Sequence, residues 1–491
     1  MASRRGAAAV AAWAGALALA VALALGVACA GRGPDASGPS GPAGSPPLSP
    51  EDAAMLDDLE RRTFDFFWRT TDPKTGLVPD RYPTPSFSSI AAVGFGLTAY
   101  PIGVERGYVT RAAARDRVLA TLRFFRDAPQ GEGARGVTGY KGFYYHFLDM
   151  KTGHRFGEIE LSSVDTALLL AGALFCREYF DGADPAEAEL RRIADGLLER
   201  ADWRWMQARA PAISMGWRPE GGYIDHDWIG YNEAMIVSLL ALGSPTFPVE
   251  PAAWDRWTSR YDATWGTVHG QEHLGFGPLF GHQYSHVWVD FRGIGDRYMR
   301  GRGLDYFENS RRATLSQQAY ARANPGGWKG YGEHVWGLTA CDGPGDMTVE
   351  VDGKPREFHG YAARGAGVGA LDDGTLAPTA MASALPFAPE LVLPGLRELR
   401  RRYGAQIYRE YGFVDAFNPS FPEGARPTAG TVVPGAGWVD VDYLGIDQGP
   451  ILAMIENHRS GLVWRVMRKS AYLRRALARA GFTGGWLEGS R

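Results

Sequence analysis

Eight stretches of this chain place apolar residues three and four apart: Ala53 to Trp68, Ala112 to Phe125, Ser163 to Tyr179, Ala186 to Met206, Asn232 to Leu242, Tyr306 to Ala323, Leu391 to Tyr408 and Gln448 to Ser460. Each predicts a helix with one apolar face, and eight such faces must be buried against one another. The segments between them, such as Gly270 to Gly281 and Gly326 to Gly345, are long and carry Gly, Pro, Asp and aromatic residues. Alternation of the strand type is scarce, and the best hairpin candidate is Met347 to Val351 with Pro355 to His359. No fixed-period repeat indicates a solenoid. The pattern predicts an all-α toroid in which helix pairs are joined by alternating short and long loops, the long ones building a cleft on one face.

The first 50 residues read differently. Arg4 and Arg5 precede an Ala/Leu/Val run from Ala7 to Val27 that ends at Ala28-Cys29, the pattern of an export signal with Cys29 as the acylated residue of a lipoprotein. Gly26 stands three residues before the cysteine, where a lipobox prefers a branched aliphatic, so simple secretion and a retained anchor stay open. Gly31 to Pro50 is almost wholly Gly, Pro, Ser and Ala, a flexible tether. The expected organisation is a signal over residues 1–29, a tether over 30–50 and one domain over 51–491, held at the membrane in the periplasm or cell envelope. Cys176 and Cys341 are the remaining cysteines, which excludes a disulfide framework. With 52 basic and 55 acidic residues interspersed, no basic stripe offers itself to nucleic acid. The 15 Trp and 21 Tyr favour a carbohydrate ligand, because aromatic faces stack on sugar rings.

Glycoside hydrolysis needs a protonated carboxylic acid and a second, ionised carboxylate. Glu233, Asp225 and Asp227 lie in G-G-Y-I-D-H-D-W-I-G-Y-N-E-A-M. Glu233 is the acid candidate because aromatic burial would keep it protonated, and a capping role in a first helical turn is its bland alternative. Asp165, in E-I-E-L-S-S-V-D-T, begins a nearly all-apolar helix and is either a working carboxylate or a cap; Glu158 and Glu160 read as surface positions. Asp447, before Gly449-Pro450, and Asp415, in G-F-V-D-A-F-N, compete for the base, with helix-start and turn roles as alternatives. Tyr284, His286 and Trp288, then Tyr331, Glu333, Trp336 and Asp342, lie in loops that resemble sugar-binding platforms. His282 and His286 are four apart, but no H-E-x-x-H surrounds them, and no metal is expected. Nucleophilic-serine, Walker and Rossmann patterns are missing from usable context.

Six segments carry a resemblance: T-F-D-F-F-W (Thr63 to Trp68), E-L-S-S-V-D-T-A-L-L (Glu160 to Leu169), Y-N-E-A-M (Tyr231 to Met235), Q-Y-S-H-V-W-V-D (Gln283 to Asp290), Y-G-E-H-V-W-G-L-T-A (Tyr331 to Ala340) and Y-L-G-I-D-Q-G-P (Tyr443 to Pro450). Together they resemble the bacterial glucoamylase-like domain family that contains endo-β-1,2-glucanases. The resemblance implies a single (α/α)6 barrel, no cofactor or metal, and inverting endo-hydrolysis of β-1,2-glucan, with Glu233 and Asp165 in the cleft. Hydrolysis or transglycosylation of another β-glucan, exo-action, and a non-catalytic glycan-binding lipoprotein are the alternatives; a monomer is expected.

Overall fold

The computed structural model describes residues 48–489 except residue 368. The export run, Cys29 and nearly all of the tether lie outside the described residues. The remainder is an α/α toroid. Its inner helices are α2 (Ile90–Glu105), α4 (Ser163–Tyr179), α6 (Met235–Gly243), α8 (Tyr284–Trp288), α10 (Pro378–Ala382) and α12 (Gly445–Arg459). Its outer helices are α1 (Pro50–Thr70), α3 (Arg111–Asp127), α5 (Pro185–Arg200), α7 (Ala252–Thr258), α9 (Tyr306–Ala323) and α11 (Pro389–Ile407). Two further helices, α13 (Leu462–Met467) and α14 (Ala471–Arg479), follow; α13 packs against α4, α8 and α12.

The division follows from side-chain pattern. Every residue of α6 is buried, as is every residue of α2 from Ile90 to Gly103, whereas α1 and α5 bury a single apolar face. Inner helices α2 and α4 approach so closely that a Cβ at Gly94 would stand 2.3 Å from the Leu168 carbonyl oxygen, and one at Gly172 would stand 2.2 Å from that of Gly94. Only glycine permits this contact. The ring continues from α6 to α8 through Ser285 Oγ, which donates to the Glu233 carbonyl and accepts from the Ile236 amide, and on to α10 through Gln283 Nε2, which donates to the Ala380 carbonyl. Helix α10 packs on α12, and α12 on α2, closing it.

Several sequence expectations need correction. Helix α2 carries no amphipathic period and was not among the eight predicted segments. Helix α5 ends at Arg200 rather than Met206, α6 begins at Met235 rather than Asn232, and α12 begins at Gly445, so Asp447 lies inside its first turn and not ahead of it. The expected hairpin is present, Met347–Val351 pairing with Lys354–Phe358 around Asp352-Gly353, both at positive φ as a tight two-residue turn demands.

Where the first and last ring helices meet, α1 and α12 press two buried carboxyls together. Glu60 and Glu456 are held by Arg459 Nη1, 2.6 Å from Glu60 Oε2, and Arg106 Nε, 2.5 Å from Glu456 Oε2. Burial and then the Glu456 charge push Glu60 up to about 8, against the pull of both arginines. A carboxyl raised in the folded state contributes stability that is complete below its unfolded pKa and is lost as pH rises through the folded one. Melting temperature should therefore fall between pH 5 and 8, and Glu60→Gln should flatten that decline; an unchanged slope in a thermal scan would contradict this.

Candidate active site

The N-terminal ends of the inner helices converge on one mouth of the ring. Ser89 caps α2, Asp165 lies in the first turn of α4, Glu233 sits two residues before α6, Tyr284 opens α8 and Asp447 lies in the first turn of α12. Ser89, Asp165, Glu233 and Tyr284 line one cleft with Asp80, His146, Phe147, Met215, Trp228, Asn232, Phe276, Phe280 and Tyr361. Asp447 is the buried sequence neighbour of the lining residue Ile446.

On one wall, Glu233 is only 6% exposed. Asn232 Oδ1 accepts from the Ala234 amide and Ser285 Oγ fixes the Glu233 carbonyl, so the turn that presents the carboxyl is rigid. Burial, opposed by its own backbone amide and reinforced by the Asp165 charge, pushes Glu233 up to about 7. Its capping alternative does not hold, because Glu233 precedes the helix. Asp165 does take part in a cap: Ser162 Oγ accepts from the Asp165 amide and donates to its carboxylate. The other Asp165 oxygen lies 3.4 Å from His146 Nε2, while His146 Nδ1 lies 2.9 Å from Glu160 Oε1. Burial opposes a charge on His146, but Asp165 and Glu160 outweigh it and push the imidazole up to about 9. Burial would raise Glu160, yet the His146 hydrogen bond and charge bring it down to about 2. Glu160 is thus an internal ion-pair member and not the surface residue its sequence suggested.

The other wall is a carboxyl cluster. Arg81 Nη1 lies 2.5 Å from Asp342 Oδ2 and Arg81 Nε 3.3 Å from Asp80 Oδ2. The Asp342 amide donates to Asp415 Oδ2 at 2.7 Å, and the carboxyls of Asp415 and Asp447 are buried neighbours. Two such carboxyls can share a hydrogen bond only if one is protonated. Burial and then Asp447 push Asp415 well above the carboxylate range; burial, eased by the Asp415 hydrogen bond, leaves Asp447 at about 7. One carboxylate oxygen from each of Asp342, Asp415 and Asp440 lies within 4.8 Å of the others, a spacing a cation could use; Arg81 already supplies the positive charge there.

Of the residues expected from sequence, Glu233, Asp165, Asp447, Asp415, Tyr284 and Asp342 come together here. The others do not. Trp288 is fully buried, stacks on Phe95 and donates to Thr98 Oγ1; Trp336 is 1% exposed; His286 is bonded to Ser310 Oγ inside the core. None of these three can offer a face to a sugar. Tyr331 gives its hydroxyl to Asp372, Glu333 is exposed away from the cleft, Asp225 points into solvent and Asp227 is bound by Arg209. His282 and His286 face carbonyl and hydroxyl partners as neutral core groups. Sequence reasoning missed Asp80, Arg81, His146 and Tyr361, which stand alone in their segments without a repeated or paired motif.

Residues 225–471 match the family described as "Glycoamylase: Putative glucoamylase". The chain belongs to this glucoamylase-like family. A putative glucoamylase from Bacteroides uniformis is 32% identical, with a TM-score of 0.77 over 90% of this chain and 100% of that one. The endo-β-1,2-glucanase of Chitinophaga pinensis, solved with sophorotriose and glucose, is 28% identical, with a TM-score of 0.76 over 90% and 100%. The exo-β-1,2-glucooligosaccharide sophorohydrolase of Parabacteroides distasonis is 29% identical over 447 residues, 84% of this chain. The chain spans 56%, little more than half, of that curated relative.

Trp288 provides a test of core against platform. Trp288→Ala should cost about 3–5 kcal/mol in denaturant unfolding; wild-type stability with weakened glucan binding would restore it as a platform.

Proposed function

We propose that this protein hydrolyses β-1,2-glucan by general acid/base catalysis, with Glu233 as the acid and Asp447 as the base. The observation that carries the reading is the unequal treatment of buried carboxyls at one cleft. Glu233 has no cationic partner among the described residues and burial keeps its proton near neutrality, as an acid that protonates a leaving oxygen must. A proton held by Asp415 and shared with Asp447 would favour the Asp447 anion, as a base needs in order to draw a proton from water. Asp165, anchored by His146, places negative charge beside Glu233 and supports its protonated state. Tyr284 lines the same cleft as Glu233, and burial together with the Asp447 and Glu233 charges pushes its phenol well above its ordinary range. The similarity to β-1,2-glucan-acting relatives supports the linkage.

Water attack opposite the leaving oxygen makes the reaction inverting. Internal cleavage, as in the Chitinophaga relative, is the first reading of chain preference; release of sophorose from a chain end, as in the Parabacteroides relative, is the second. Chromatography of the earliest products separates them, since a lone disaccharide contradicts endo-action.

Glu233→Gln should lower kcat on β-1,2-glucan by at least about 100-fold with melting temperature retained. The wild-type rate should peak near neutral pH, falling at higher pH as Glu233 loses its proton and at lower pH as Asp447 gains one. Retained activity in that variant removes the acid assignment, and an α-anomer failing to appear first by NMR removes inversion.

Export with a lipid on Cys29 completes this reading. Cys29→Ser should move the protein from the membrane fraction to the soluble fraction; an unchanged distribution contradicts a lipid anchor.

A further inference from the structure

Three aromatic rings stand four residues apart where the chain turns into α8: Phe276, Phe280 and Tyr284, all lining the cleft that holds Glu233. Their ring centroids step by 5.5 Å from Phe276 to Phe280 and by 5.4 Å from Phe280 to Tyr284, and Tyr284 rests at 5.8 Å against the core residue Phe95. The row therefore runs outward from the core. Tyr284 is 7% exposed, whereas Phe280 and Phe276 are half-buried. A phenylalanine side chain has no polar atom, so the surface these two rings keep in the cleft makes no hydrogen bond and is taken from water only by an apolar face laid against it.

Both rings are held in place by the fold itself. His282 Nε2 donates to the Phe276 carbonyl at 3.1 Å, and the Phe276 ring fills the space over Gly281, where a Cβ would stand 2.2 Å from its Cδ1. The Phe280 amide donates to Thr339 Oγ1 at 3.1 Å. Buried Gln317 of α9 ties the two loops together, donating to the Gly277 and Leu338 carbonyls at 3.2 and 2.7 Å and accepting from the Leu338 amide at 2.9 Å. Ala340, next after Thr339, adds only a methyl group to the cleft lining. A ring whose position is already fixed loses little entropy when a ligand covers it, so more of the contact energy appears as affinity.

We propose that Phe276 and Phe280 form the sugar-binding platform of the cleft, receiving the apolar face of a glucosyl unit of β-1,2-glucan. The inference rests on the β-1,2-glucan reading above and deepens it, by assigning the aromatic contact that the buried Trp288 and Trp336 cannot make. A glucopyranose ring presents C–H bonds on its faces and hydroxyls around its edge. The faces suit a flat ring, and the hydroxyls stay free for polar lining groups such as Asn232 and Asp80. Such a platform holds substrate and transition state alike, so it acts on KM rather than on kcat.

The test compares Phe276→Leu, Phe280→Leu and Phe280→Tyr on β-1,2-glucan. Phe307→Leu is the control, a half-buried phenylalanine packed on Phe387 outside the cleft lining. Leucine keeps apolar bulk and removes the flat face, so each of the two leucine variants in the cleft should raise KM about 10-fold, with kcat changed less than about 2-fold. Phe280→Tyr keeps the face and should recover most of what Phe280→Leu loses, and Phe307→Leu should match the wild type. Calorimetric titration of Glu233→Gln with sophoro-oligosaccharides should show the same loss of affinity when Phe280→Leu is added. If the wild type cleaves β-1,2-glucan and both leucine variants keep its KM, or lose kcat without a rise in KM, the platform alone is overturned. A wild type that neither binds nor cleaves β-1,2-glucan overturns the functional reading, and this inference with it.

Discussion

Carboxyls at the buried mouth of the ring feel two opposed forces. The inner helices point their N-termini at the cleft, and a helix N-terminus favours negative charge by about 0.3–1 kcal/mol. Removing a carboxylate from water costs several kcal/mol. Desolvation is the larger, so without a cation or a proton these groups could not be held there together. The cleft is therefore organised by where its few cations stand.

His146 serves one wall and Arg81 the other. His146 spans Asp165 and Glu160, and Arg81 spans Asp342 and Asp80. Glu233 is bridged by neither, and its pKa is the one that burial carries to about 7 with a neighbouring anion adding to it. The turns and caps that fix His146, Arg81 and Glu233 thus matter as much as the carboxyls themselves.

The same constraint explains what could be read from the chain. Outer helices such as Pro50–Thr70 and Tyr306–Ala323 are one-sided, and their periodicity is visible in sequence. Inner helix Ile90–Glu105 is apolar all round because protein surrounds it, and periodicity is silent where there is no polar face. Glu233, Asp165, Asp415 and Asp447 could be found because a carboxylate within an apolar or aromatic segment needs a reason. The aromatic platforms could not. Trp288 and Trp336 have the same loop-like neighbours as Tyr284, and only the ring decides which face the cleft and which face Phe95 or the core. Glu160 looked like a surface residue because its partner, His146, is brought alongside by strand pairing between Phe143–Tyr145 and Leu161–Ser162.

Asp415 illustrates how far the proton inventory reaches. Were both Asp415 and Asp447 ionised, two adjacent buried anions would face Asp342 and Asp80 with Arg81 as the cation at hand. Were both protonated, there would be no base. A single proton placed on Asp415 resolves this: Asp415 Oδ2 accepts the Asp342 amide, Asp415 Oδ1 has no hydrogen-bond partner among the described residues, and burial and the Asp447 charge push Asp415 well above the carboxylate range. On the proposed reading, Asp415 would act through Asp447 rather than on the substrate, which turns the two rivals for one role into a donor and an acceptor within one unit.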